Sequence, residues 1–164
     1  MIPIISATLI FIKNDCFDMD CQEMSKRLNI TPTNFWPARI SPGKLLINDR
    51  NIDEYRLHPQ FEEGLTLVAP ICEGRFMIHS SWSYRTEEIR SWEIADALEM
   101  LESVFAGKEE TVKNACAELH LSAKVIVDIQ TEAPDLPEIT LSAQSIAFWS
   151  RFALPIAVQC RAPA

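Results

Sequence analysis

The residues of this chain that could do chemistry are few and scattered. The nearest approach to a nucleophile and base is His79, which is followed by Ser80 and Ser81. In a strand, neighbouring side chains point to opposite faces, so His79 and Ser80 diverge, while His79 and Ser81 share a face about 6 to 7 Å apart. His58 and His120 are isolated in the sequence. We therefore predict no catalytic residue.

A run of carboxylates early in the chain could ligate a cation. Asp15, Asp18 and Asp20 are of the ligand type that hard cations prefer, but their spacing lacks the glycine and the closing glutamate of a calcium loop. Asp20 is better explained as the N-cap of a helix that has Glu23 at its third position. The sequence therefore predicts no metal site.

Common catalytic and nucleotide-binding motifs are missing from the sequence. It contains no phosphate loop, no dinucleotide fingerprint, no nucleophile elbow and no metalloprotease helix. Cys16 and Cys21 lack a second pair at zinc spacing, so buried thiols explain them more simply. We expect no cofactor and no enzymatic activity.

The strongest signal in the sequence is a local excess of acids. Between Glu87 and Glu110, eight acids face only Arg90 and Lys108, which accounts for six of the eight net negative charges. A helical step of about 100° per residue places Ile94, Leu98, Leu101 and Phe105 on one apolar stripe. The segment is therefore predicted to be a helix with its apolar stripe in the core.

The carboxylates of this helix lie on the side away from the apolar stripe. Glu93, Asp96 and Glu99 fall opposite the stripe, with Glu102 toward its flank, and Trp92 beside them would supply an apolar anchor. Such a face is either a solvated surface or a binding surface that attracts a basic partner. It argues against nucleic acid as a ligand, because phosphate contacts need Lys and Arg.

Length and composition predict a single domain, 1–164, with a hydrophobic content of 48%. The apolar beginning of the chain has no positive region before it, so we expect a strand and not a signal peptide. No apolar run approaches the ~20 residues that span a bilayer. Five cysteines without an export signal favour reduced thiols in the cytoplasm.

The periodicity of the chain predicts alternating strands and helices. The predicted strands are Ile4–Ile12, Leu45–Ile47, Ile52–Leu57, Leu65–Ile71, Arg75–Tyr84, Ala123–Gln130 and Leu154–Cys160. One predicted helix follows the N-cap Asp20, a second follows Thr86 or Ser91 and ends at Gly107, a third runs from about Lys108 to His120, and a fourth follows Ser142. In the core, Val125, Val127 and Ile129 are predicted to pack against Leu98, Leu101 and Phe105.

A proline-rich stretch, 31–44, is predicted to be an ordered loop. Phe35 and Trp36 would anchor this loop on the core. A cleft beneath these two rings, with Arg39 or Lys44 holding an anion, is an alternative site for a small-ligand sensor or an enzyme.

Several segments, taken in order, resemble a bacterial family catalogued as a domain of unknown function. The matching segments are Ser6–Ile12, the helix that ends at Leu28, Thr31–Thr33, the turn at Gly43, Ser81–Trp82 and Leu141–Phe152. The resemblance implies an α/β (α+β) fold, with a mainly antiparallel sheet, helices on one face and two related βαβ-like halves. It implies no established chemistry.

Size, acidity and the lack of catalytic residues are similar to those of bacterial immunity proteins of contact-dependent growth inhibition and related toxin systems. The sequence therefore favours an acidic protein that binds and blocks a basic protein toxin, with a nuclease domain as one candidate. The expected binding residues are Trp92, Glu93, Asp96, Glu99 and Glu102. No nucleic acid or membrane is expected as a partner, and the oligomeric state stays open.

Overall fold

The computed structural model of the chain describes residues 2–14, 19–42, 76–131 and 137–162. At 14, 36–42 and 76–79 it describes the backbone but not the side chains. The strands are β1 (Ile4–Asn14), β2 (Asn34–Pro42), β3 (Phe76–Arg85), β4 (Ile89–Arg90), β5 (Ser122–Gln130) and β6 (Ile156–Arg161). The helices are α1 (Cys21–Leu28), α2 (Ile94–Phe105), α3 (Glu109–Glu118) and α4 (Ala143–Phe152). The predicted strands between 45 and 71 lie outside the described residues.

The described strands form one sheet in the order β2-β3-β1-β5-β6, with the short β4 paired to the start of β1. All pairings are antiparallel except the one between β5 and β6, which is parallel. The unit β5–α4–β6 is therefore a βαβ crossover, and β1–α1–β2 is a second one in which β3 lies between the two strands. The prediction of a mainly antiparallel α+β fold is confirmed.

The core lies between one face of the sheet and the four helices. Alternate residues of β1 and β5 are fully buried on this face, and the register pairs Leu9 with Val125 and Ala7 with Val127. Each of the four described helices contributes side chains to the same cluster: Met24 and Leu28 from α1, Leu98 and Leu101 from α2, Val112 and Ala115 from α3, and Trp149 and Phe152 from α4. The predicted packing of the α2 stripe with β5 in one core is confirmed.

The start of α1 follows the sequence prediction. Asp20 is the N-cap, and its Oδ1 accepts hydrogen bonds from the backbone N–H groups of Gln22 at 2.8 Å and Glu23 at 3.1 Å. Asn29 ends the helix in the left-handed conformation, with φ of 51°. Asp20 therefore has a structural role.

The sequence predicts an ordered loop over 31–44, and within the described residues this prediction is wrong at 34–42. Asn34–Pro42 is strand β2, which lies at the edge of the described sheet and pairs only with β3. An edge strand tolerates proline, because its outward N–H groups need no partner in the sheet. The register shifts between Trp36 and Arg39, around Pro37, as expected for a bulge.

The N-cap prediction for α2 is also wrong. Glu93 holds the N-cap position without a side-chain hydrogen bond to the helix. Thr86 Oγ1 instead accepts from the N–H of Ala7 at 3.0 Å, which ties the end of β3 to β1. At the other end, Gly107 with φ of 74° follows the C-cap Ala106, as predicted for the helix end.

Candidate protein-binding surface

The outer side of α2 carries an acidic face, defined here as Glu93, Asp96 and Glu99. All three residues are exposed, while Leu98 and Leu101 on the opposite side are fully buried. Because α2 packs on β1 at the centre of the sheet, the acidic face is held on a rigid support. The structure thus places these three predicted residues together on one surface.

The acidic face differs from the acids around it in its ion pairing. Glu88 pairs with Arg85 at 2.9 Å, Glu110 with Lys113 at 3.0 Å and Glu109 with Arg151 at 3.5 Å. Among the described residues, no base lies within ion-pair distance of the acidic face. Its negative charge is therefore available to an external cation.

Asp96 is exposed but is not free to move. Its Oδ2 accepts a hydrogen bond of 2.5 Å from Ser91 Oγ, and the same hydroxyl oxygen accepts from the N–H of Glu93 at 3.0 Å. These bonds connect the segment before α2 to the first turn of the helix. Asp96 therefore contributes negative charge to the acidic face and also fixes the position of the segment before α2.

Glu102 differs from the residues of the acidic face. It is half-buried, and its Oε1 is buried without a hydrogen-bond partner in the described part of the chain. Its position at the flank of the helix, between the apolar stripe and the exposed side, accounts for this burial. The prediction of Glu102 as an exposed binding residue needs correction, because the residue is half-buried and one of its carboxylate oxygens is fully buried.

Trp92 lies next to the acidic face, in the segment between β4 and α2. Its side chain is 46% exposed. The backbone carbonyl of Trp92 accepts a hydrogen bond from the N–H of Glu138 at 2.7 Å. Two residues later, the N–H of Ile94 donates to the carbonyl of Glu138 at 3.4 Å. A large, half-exposed indole on an anchored backbone is well placed to enter a pocket of a partner.

The side chains considered for catalysis are only partly described. Ser81 is buried, His120 is exposed at the end of α3, and the side chain of His79 is not described. Burial raises the pKa of the Cys116 thiol, which lowers its reactivity at neutral pH. In the described part of the chain, no group of three His, Cys, Asp or Glu residues could hold a metal ion.

The alternative site near Phe35 is only partly described. Phe35 is half-buried against the core and pairs with Trp82 across β2 and β3, so its predicted packing on the core is confirmed. The side chains of Trp36 and Arg39 are not described, and Lys44 lies outside the described residues.

An open groove of about 290 Å³ lies on the other flank of α2. It is lined by Tyr84, Thr86, Glu87, Met100, Ser103 and Val104. Its volume is at the small end of ligand sites, and among the described residues that line it the one charged side chain is the acid Glu87.

No protein-family model, curated protein or solved structure matches the chain. Within the described ranges, no helix has both the length and the apolar character to cross a membrane.

Proposed function

We propose that this chain is an immunity protein, an acidic cytoplasmic protein that binds and neutralises a cognate basic bacterial toxin. The observation that carries the proposal is the acidic face beside Trp92. Three exposed carboxylates without an ion-pair partner among the described residues lie next to a half-exposed indole. Charge attracts a basic partner over a distance, and the aromatic ring supplies the short-range contact.

The class of partner follows from this charge. A toxin that cleaves RNA or DNA needs a positive surface to bind its substrate, and an acidic protein can cover that surface. A nuclease domain is therefore the candidate that suits the proposal best. The net charge of −8 agrees with such a partner, since it would speed the encounter with a cationic protein.

The proposal can be tested by co-expressing the chain with a toxin candidate encoded beside its gene and counting surviving cells. The informative variant is Glu93→Lys with Glu99→Lys, because neither side chain makes a hydrogen bond among the described residues, whereas Asp96 does. The matched control is Glu110→Lys with Glu118→Lys on α3, which changes the net charge equally and breaks only surface ion pairs of small energy.

We expect the wild type and the α3 control to protect, and the α2 variant to lose protection while melting like the parent. Equal protection by all three proteins would remove the acidic face from the mechanism. No protection by the wild type would instead favour the small-ligand alternative near Phe35 and Trp36.

A further inference from the structure

Three separate segments of the chain meet beside the start of α2. The N–H of Ser91 donates to the carbonyl of Pro3 at 3.1 Å, and the N–H of Glu138 donates to the carbonyl of Trp92 at 2.7 Å. Segments joined by such bonds lie about 5 Å apart. The residues before β1, before α2 and before α4 therefore adjoin one another, and each segment has a side chain at the surface of the molecule.

This surface carries an apolar patch, defined here as Ile2, Trp92 and Ile139. Their exposed fractions are 45%, 46% and 52%. Ile146, in the first turn of the neighbouring α4, is exposed as well. Exposed large apolar side chains that are grouped in this way, and not scattered, mark an interaction surface.

Two carboxylates belong to the same segments, each next in the sequence to a residue of the patch. Glu93 and Glu138 are partners in an isolated parallel β-bridge, and both are exposed. Like charges opposite each other on neighbouring strands repel. Neither residue has an ion pair with a described base, so a cation placed between them from outside would remove the repulsion.

The negative charge of the chain also indicates which class of partner could bind the patch. A second copy of this chain would bring another net charge of −8 to the same surface. Nucleic acid and an anionic membrane would add negative charge as well. A cationic protein segment is the occupant that relieves the repulsion and covers the apolar side chains together.

We propose that the apolar patch and the Glu93–Glu138 pair form the binding site for a protein segment that has an apolar side chain next to Arg or Lys. The inference rests on the proposed function, because it names the chemistry of the surface through which the toxin would bind. It adds Ile2, Ile139 and Glu138 to the site, none of which belongs to the acidic segment of the sequence. Ile139 would pack beside Trp92 against the apolar side chain of the partner.

A selection from random peptides displayed on phage tests this inference without any toxin. The immobilised wild-type protein should enrich peptides that combine Lys or Arg with aromatic or aliphatic residues. Trp92→Ser with Ile139→Ser, and Ile139→Ser alone, should bind the selected peptides about tenfold more weakly or worse. The matched control is Val158→Ser, which removes an exposed apolar side chain of β6, and it should bind them like the wild type.

Several outcomes would overturn the inference. One is a selection that enriches no peptide. Another is a selection whose enriched peptides lack basic residues. A third is that the patch variants bind the selected peptides as tightly as the wild type. A wild-type dimer in sedimentation that Ile139→Ser converts to a monomer would assign the patch to self-association instead. Because survival of toxin-expressing cells is measured separately, intact protection together with a failed selection would reject this inference and leave the proposed function standing.

Discussion

Ser91 Oγ and Asp96 Oδ2 are joined by a hydrogen bond of 2.5 Å that fixes the entrance of α2. The bond crosses from the segment that carries Trp92 to the first turn of the helix that carries the acidic face. The position of the indole relative to the carboxylates is therefore set by a local contact of the folded chain. An exposed carboxylate can thus have a structural role that its neighbours Glu93 and Glu99 do not share.

The first prediction follows from this contact. Asp96→Asn should lower the free energy of unfolding by about 1 kcal/mol, because it weakens this hydrogen bond. Ser91→Ala should lower it by at least as much, because it also removes the acceptor of the Glu93 N–H. Glu99→Gln, one turn away and without such a bond among the described residues, should change it by less than about 0.5 kcal/mol. Urea denaturation of the three variants measures the difference, and equal midpoints would show that the Ser91–Asp96 contact contributes nothing.

A second prediction concerns the core. Leu101 is fully buried in the cluster between α2 and the sheet, so Leu101→Ala should cost about 2 to 5 kcal/mol. Val158→Ala, on the exposed part of β6, should cost far less and serves as the control. Thermal unfolding followed by circular dichroism compares them. A Leu101→Ala protein that melts like the wild type would contradict the packing of α2.

A third prediction compares two serines at the start of α4, whose replacement by alanine should change the free energy of unfolding in different ways. Ser142 is the N-cap, and its Oγ accepts from the N–H of Ser145 at 3.0 Å, so Ser142→Ala should cost about 1 kcal/mol. Ser145 Oγ is buried without a partner in the described residues, so Ser145→Ala should be neutral or stabilising. Denaturant titration would contradict this assignment if Ser145→Ala proved the more damaging of the two.

A fourth prediction concerns thiol chemistry. Cys21, Cys116 and Cys160 are free, and we expect added reductant to leave the melting temperature nearly unchanged. Because burial raises the pKa of the Cys116 thiol, less of it is thiolate at a given pH, and the exposed Cys160 should react with iodoacetamide before Cys116 does. The reaction of Cys116 should accelerate only at higher pH. Site-resolved mass spectrometry measures both rates, and equal rates at pH 8 would contradict the burial of Cys116.

The sequence predicts those parts of the fold in which a local pattern decides the outcome. The strand-length apolar runs of β1 and β5, the Asp20 cap and the helical stripe of α2 all depend on near neighbours, and all are confirmed. The density of the β1 run indicated burial on both faces, whereas only the face of Ile5, Leu9 and Phe11 is fully buried. The prolines of β2 suggested a loop, because a single sequence does not show that a strand lies at the edge of a sheet.

The same limit applies to the candidate site. The spacing of Glu93, Asp96 and Glu99 along one helix was readable from its period of 3.6 residues. The proximity of Ile139 to Trp92 depends on a backbone hydrogen bond between segments far apart in the chain, so no local pattern could indicate it. The partial burial of Glu102 likewise depends on packing around the flank of α2.

The central claim is that the acidic face beside Trp92 binds a basic toxin. The most direct measurement is the association rate of the purified toxin candidate with Glu93→Lys/Glu99→Lys, compared with Glu110→Lys/Glu118→Lys, over a range of salt concentrations. We expect the α2 variant to associate about tenfold more slowly at low salt. The difference should shrink as salt rises through about 0.15 M, where the screening length is about 8 Å. Equal association rates of the two variants at low salt would contradict the claim.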